Sequence, residues 1–397
     1  MTGGMVLLFA VAVGQAVASN YLAQPLLDTL RDVFGVSEAV AGLIVTASQV
    51  GYAAGLILLL PLGDLLERRR TVVTLAVLTT AGLAAAAAAP TIGFFIVACG
   101  AIGLTSVMAQ LLVPFAATLA PEAERGRVVG NVMSGLVIGI LLARTFSGVV
   151  AEAAGWRAAY VLAAVLMVVQ TIVLYVKLPT FRQSAGLPYH KLLASTVAIA
   201  RGEPVLRRRA VFGLLSFASF SVLWTTLAFL LSGPPFEYGD GVIGLFGLVG
   251  VAGAITATVV GHYTDRGWVY WLTGGSAWLM LVGFVFLWLG RESLWPLIVG
   301  IVVLDVGSGG VHLSNQSEIY RLRPEARNRI NSFYMTSCFV GAAGGSALAA
   351  FAYDHWGWDG TCALGVLVSV ATVARWATDR QRPVAEREPY IEADPPV

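Results

Sequence analysis

The sequence predicts an all-α membrane protein of twelve transmembrane helices in two pseudo-symmetric six-helix bundles, and three observations carry that prediction. Of 397 residues, 57% are hydrophobic and only 12% charged, with a mean hydropathy of +0.78. Soluble domains carry roughly a quarter of their residues as charges. Apolar stretches of about 20 residues, the length that crosses a hydrocarbon core, recur twelve times. Finally, the chain repeats itself at an offset of 202 residues: Arg125-Gly-Arg127 recurs as Arg327-Asn-Arg329, Gly139 as Gly341, and Gly155-Trp156 as Gly357-Trp358. Matching helices in two halves of a membrane chain are the pattern of secondary transporters, whose sites lie between the halves.

The first six spans cover Met5–Leu26, Val40–Leu62, Val72–Ala89, Gly93–Ala117, Val129–Ala151 and Ala158–Val176. Span 1 is not preceded by a basic leader region, so it reads as a permanent span and not as a signal peptide. A polar stretch with Lys177, Arg182, Lys191, Arg201 and the Arg207-Arg208-Arg209 run follows. It divides the chain into a first bundle (1–182), a cytoplasmic central loop (183–208) and a second bundle (209–380). The second six spans cover Val211–Leu231, Val242–Tyr263, Val269–Gly290, Trp295–Asn315, Phe333–Phe351 and Thr361–Ala377. Residues 381–397, charged, proline-bearing and without periodicity, read as a disordered cytoplasmic tail.

Charge bias orients the chain. With both termini in the cytoplasm, 21 of the 25 Lys and Arg residues fall on that side, and only Arg31, Arg157 and Arg291 on the other. Cys99, Cys338 and Cys362 lie in apolar stretches at spacings that suit neither a disulfide framework nor a metal site.

Between spans 2 and 3 stands Pro61-Leu-Gly63-Asp64-Leu-Leu-Glu67-Arg68-Arg69-Arg70, and between spans 8 and 9 Gly261-His-Tyr-Thr-Asp265-Arg266-Gly267. Both resemble the Gly-x-x-x-Asp-Arg-x-Gly-Arg-Arg loop of the major facilitator superfamily, although Leu60, Leu65 and Glu67 replace three of its residues in the first copy. The twelve spans and the internal repeat extend the resemblance from about residue 5 to 380. It implies that Gly63, Asp64, Arg68 and Arg69, with Gly261, Asp265, Arg266 and Gly267 in the second half, form cytoplasmic gating loops. A carboxylate near a helix N-terminus gains roughly 0.3–1 kcal/mol, which suits such a gate. Span 5 carries Gly139 and Gly148 where the family's antiporter signature lies, without its Gly-Pro pair; close helix packing explains these glycines equally well.

Ionisable residues inside spans are costly and normally face a cavity. Span 10 places Asp305, Ser308, Gly309, His312, Asn315 and Gln316 on one helical face. Asp305, near the midplane, is the candidate proton carrier, and His312, whose ordinary titration range spans physiological pH, is a candidate relay. Arg144 in span 5 is either a snorkelling side chain, a counter-charge for Asp305, or a site for an anionic substrate group. Span 1 offers Gln15, Ser19, Asn20, Tyr21 and Gln24; span 4 Ser106 and Gln110; span 7 Ser216, Ser219, Phe220, Trp224 and Thr225. The resemblance implies that spans 1, 4, 7 and 10 line the central cavity. Asn20, Tyr21, Gln24, Gln110, Trp224, Asn315 and Gln316 are therefore the candidate substrate-facing residues.

No Gly-Lys-Ser/Thr loop, catalytic constellation, metal spacing or nucleic-acid footprint is present in the sequence. The expectation is a monomeric, multi-pass transporter of the cytoplasmic membrane, without cofactor and not an enzyme; the resemblance, within the family to the drug/proton antiporters or sugar efflux permeases, further implies proton-driven export of a small organic molecule such as a drug, metabolite or sugar. Proton-coupled import of a small polar solute, and a transporter-like receptor that moves nothing, are the alternatives.

Overall fold

A transmembrane backbone must satisfy its own hydrogen bonds, and helices do so within one segment. In the computed structural model, which describes residues 2–181, 188–250, 268–322 and 326–379, the described residues contain helices and no strand. Nine of these helices are long and apolar enough to cross a membrane. The one covering Arg327–Ala377 is two helices joined at Gly357, whose φ of 59° breaks the α-helical path. Gly155, its repeat partner, takes a φ of 85° between the helices Arg125–Ala154 and Trp156–Lys177. Only glycine enters these conformations without strain. The repeated Gly-Trp pair is therefore the corner between spans 5 and 6 and between spans 11 and 12.

Two shorter apolar helices, Gly3–Ala18 and Asp240–Gly250, occupy the places of spans 1 and 8 and bring the count to twelve. Span 1 unwinds after Ala18 and continues, through a short 3₁₀ turn at Gln24–Leu26, into the amphipathic helix Leu27–Phe34. Helix starts follow local chemistry. Ser37 and Thr91 accept from the backbone N–H groups of Val40 and Phe94, and Glu67 accepts from those of Arg69 and Arg70.

The stretch read as a loop between the halves contains a further helix, Tyr189–Gly202, and span 7 begins early, at Pro204. Leu192 and Ala200 are its buried residues, so a short amphipathic stripe underlies a sequence that looks merely polar. Residues 182–187 and the tail from 380 lie outside the described residues.

Glycine sets the packing of the two halves in the same way. A Cβ on Gly139 would press on the Gly14 backbone of span 1, and one on Gly341 would press on the Leu214 backbone of span 7. Small residues of this kind let helices approach without a hydrophobic driving force between them. Outward-facing side chains such as Val97 and Leu367 are apolar, while Trp271, Trp295 and Trp356 stand exposed near helix ends, as in interfacial aromatic belts.

The halves meet most fully away from the basic face. There Thr29 donates to both Asp240 oxygens at 2.8 Å, Thr145 donates to the Gly244 carbonyl at 3.1 Å, and the Gly241 N–H donates to Glu152 at 2.8 Å. Deeper in, Thr46 and Thr225 both bond to Ser346, at 3.2 and 3.1 Å. Toward the basic face spans 2 and 11 stay in contact: Tyr52 stacks on Phe339 at 4.1 Å, and Ser332 donates to the Leu56 carbonyl at 2.9 Å.

Candidate functional site

Between the bundles lies a cavity of about 810 Å³, within the range of small-molecule sites. It is lined by residues of spans 1, 4, 7 and 10 and also of spans 2, 5, 8 and 11. Its lining reaches Arg327 and Asn328 toward the basic face; toward the opposite face the halves are joined by the contacts just described.

The end of the cavity toward that opposite face is polar and crossed by two charges. Arg144 is 2% exposed; its Nε donates to Gln24 Oε1 at 2.7 Å, and its guanidinium lies 3.7 Å from the centre of the Trp224 ring. Tyr21 and Phe220 close the aromatic cage at 5.3 and 5.8 Å. A cation over desolvated rings gains roughly 0.5–2 kcal/mol, which offsets part of the cost of holding Arg144 in the membrane. On its other edge the Trp224 indole N–H donates to Asp305 Oδ1 at 3.3 Å. An arginine of one half and a carboxylate of the other thus share a single indole.

Below this level Ser216 and Ser308 bond at 2.9 Å and tie span 7 to span 10. His312 lines the cavity two turns from Asp305; its Nδ1 meets the Tyr334 hydroxyl at 3.0 Å, and its ring packs between Tyr334 and Phe217. The two candidate proton groups therefore share a helix face and a cavity, but each has its own partner. Gln110, the repeat equivalent of His312, donates to the Tyr52 hydroxyl at 3.3 Å.

Of the residues expected to face substrate, Asn20, Tyr21, Gln110 and Gln316 line the cavity. Gln24 and Trp224 stand behind it and hold Arg144 and Asp305. Asn315 is placed elsewhere: it is fully buried, takes a bond from Arg209 at 3.4 Å and gives one to Tyr334 at 3.3 Å. It neighbours Gln316 in sequence but is turned about 100° from it around the helix. Its network, with Thr273 and Glu318 also at Arg209, neutralises a buried cation inside the second bundle.

At the loop between spans 2 and 3, Gly63 is buried against Leu111 and Arg68 is buried, with its guanidinium 5.7 and 5.2 Å from the Phe115 and Phe181 rings. Arg69 lies 4.8 Å from the Tyr175 ring. Glu67, which replaces a glycine of the resembled loop, provides the N-cap of span 3 and also accepts from the Phe181 N–H at 3.3 Å. The Asp64 side chain lies outside the described residues, as do Gly261, Asp265, Arg266 and Gly267. Glu67 was legible as a carboxylate just before a helix; Gln24 as the Arg144 partner was not, since nothing local links them.

Residues 8–320 match the family model described as Major Facilitator Superfamily. The chain is 46% identical over 376 residues to the Escherichia coli K12 transporter YgaY, covering 95% of each chain. It is 33% identical over 373 residues to the Streptomyces coelicolor transporter SCO4007, covering 93% of this chain and 86% of that one. Among solved structures, a bacterial homologue of the human lysosomal transporter Spinster superposes with a TM-score of 0.78 at 12% identity, over 94% of this chain and 95% of that one.

Proposed function

The chain belongs to the Major Facilitator Superfamily, and from that premise we propose that it is a proton-coupled secondary transporter, not an enzyme, that moves a small organic molecule by alternating access. Asp305 is the observation that supports coupling. It is 6% exposed, lines the cavity, and shares Trp224 with Arg144, a cation of the other half. A carboxylate at that depth is costly, and such groups typically lie on ion pathways. His312 would relay protons toward the basic face, and the bundles 1–182 and 209–380 would rock about the site.

On this reading the basic face is cytoplasmic, both termini are cytoplasmic, and the protein is a monomer in the cell membrane, open inward and sealed outward. The gating loops at Asp64 and Asp265 would lock the inner face in the alternate state. One proton crossing 100 mV supplies about 2.3 kcal/mol, roughly a 50-fold concentration ratio for a neutral substrate coupled to one proton.

Export, which the resemblance to efflux permeases implies, requires that substrate and proton displace one another. Uptake requires that they occupy the site together. Purified protein in liposomes with a pH dye inside tests the coupling: a ligand found by thermal stabilisation should move protons when added, and the sign of that movement separates the two directions. A ligand that is transported while the dye stays silent removes proton coupling from the account.

A further inference from the structure

The end of the cavity away from the basic face holds donors that no neighbour uses. Arg144 Nη2 has no hydrogen-bond partner among the described residues, and neither the nitrogen nor the oxygen of the Asn20 amide has one. Both side chains are more than nine-tenths buried, and both line the cavity. An unmet buried donor costs roughly 1–3 kcal/mol, more when charged. Such a group in a native cavity calls for an explanation, and a ligand acceptor supplies one.

Charge decides which acceptor. Among the described lining residues the ionisable groups are Arg144, Asp305, His312, Arg327 and three tyrosines. Arg327 lies toward the basic face, with its Nε on the Tyr320 carbonyl at 3.2 Å. Facing Asp305 are Arg144 from span 5 and, beside it, the Tyr21 phenol from span 1. Span 7 presents Trp224 and Phe220 and span 8 Gly250, while span 9 packs the uncharged Ser276 and Met280 on Gly307, two residues along the helix. His312 on the same helix is occupied with Tyr334. One cation therefore stands beside one carboxylate. A second anion leaves the pocket with a net negative charge unless Asp305 takes a proton.

We propose that the substrate is an amphipathic organic anion, a carboxylate on an apolar body, held by Arg144 Nη2 and Asn20 against the Tyr21 and Phe220 rings, and that it binds together with a proton on Asp305. This rests on the proton-coupled reading above and, within it, selects uptake.

The test uses purified full-length protein, melted between pH 6 and 8 with 2-naphthoate, 3-phenylpropionate and cyclohexaneacetate, each beside its amide and amine. These acids stay ionised across that range. The acids should stabilise the protein and their amides and amines should not. Apparent affinity for the acids should rise up to about tenfold per unit fall in pH, the limit for one proton taken up per anion. Arg144→Gln should lose this stabilisation and Arg144→Lys should keep part of it. Asp305→Asn should bind the acids with no pH dependence. Silence from all three acids, stabilisation by the amines instead, equal acid binding in Arg144→Gln, or a flat pH profile in the wild type would each overturn the proposal. Acid binding with the expected pH profile but no proton movement in liposomes would instead remove the coupled-transport reading and leave the anion site standing.

Discussion

Replacing Thr29 with valine removes one hydroxyl and keeps the shape of the side chain, at a point where, on the alternating-access reading, the two halves are joined only in the conformation described. The hydroxyl, on the helix that extends span 1, donates to Asp240 at the start of span 8. A hydrogen bond to a charged acceptor contributes roughly 1.5–3 kcal/mol. Both residues are only partly buried, so the lower end applies, about 1.5 kcal/mol. The open state has no such bond to lose, and the whole difference therefore falls on the equilibrium, as a shift of about tenfold toward opening on that face. Spin labels at Val33 and Glu237, on opposite halves at that face, would report it by pulsed dipolar spectroscopy. The short-distance population should fall and the long-distance population grow in Thr29→Val, with melting temperature little changed. Superimposable distance distributions in the two proteins would show that this contact does not hold the face shut.

Packing offers a second test: Gly139→Val and Gly341→Val should each lower the melting temperature by an amount matching about 1–3 kcal/mol of overpacking, whereas Gly344→Ala, whose Cβ meets nothing within 4 Å, should be silent; equal effects at all three positions would contradict the paired close approach. A third concerns pH outside the membrane. Burial pushes the Asp28 carboxyl above the usual carboxylate range, against the opposing pull of Arg31. The closed face thus holds that proton more tightly than a solvated, open one, and closure is favoured at low pH and weakened as pH rises through the raised value. The same spin-label pair should show this titration in the wild type and a smaller one in Asp28→Asn; the reverse slope would refute the assignment. Fourth, Arg68→Lys should destabilise the protein by about 1 kcal/mol, because an ammonium cannot replace a planar group between two rings; unchanged thermal unfolding would assign that pocket no energy.

Much of the fold was legible because hydropathy and charge bias act on whole segments. The Gly155-Trp156 and Gly357-Trp358 pairs were readable as equivalents, and their shared positive φ gives the repeat its physical cause. The helix Tyr189–Gly202 was not, since two buried apolar residues in fourteen leave almost no periodic signal. Within the site, helical periodicity correctly gave Asp305 and His312 one face, because it depends only on positions along one helix. It failed for Asn315, where the neighbouring helix matters: Arg209, 106 residues earlier, claims that amide. For the same reason neither the Gln24 bond to Arg144 nor the Trp224 bond to Asp305 could be read from the chain. Both join segments that meet only after the bundles assemble.

The central claim, that Asp305 carries the coupled proton, is tested most directly by comparing two transport modes of Asp305→Asn in proteoliposomes. An amide at that position keeps an acceptor for the Trp224 N–H at 3.3 Å but cannot exchange a proton. The substrate site itself should survive. The account predicts that counterflow exchange of labelled substrate stays near wild type while accumulation driven by an imposed pH difference disappears. Asp305→Asn vesicles that still concentrate substrate when only a pH difference is supplied would contradict it.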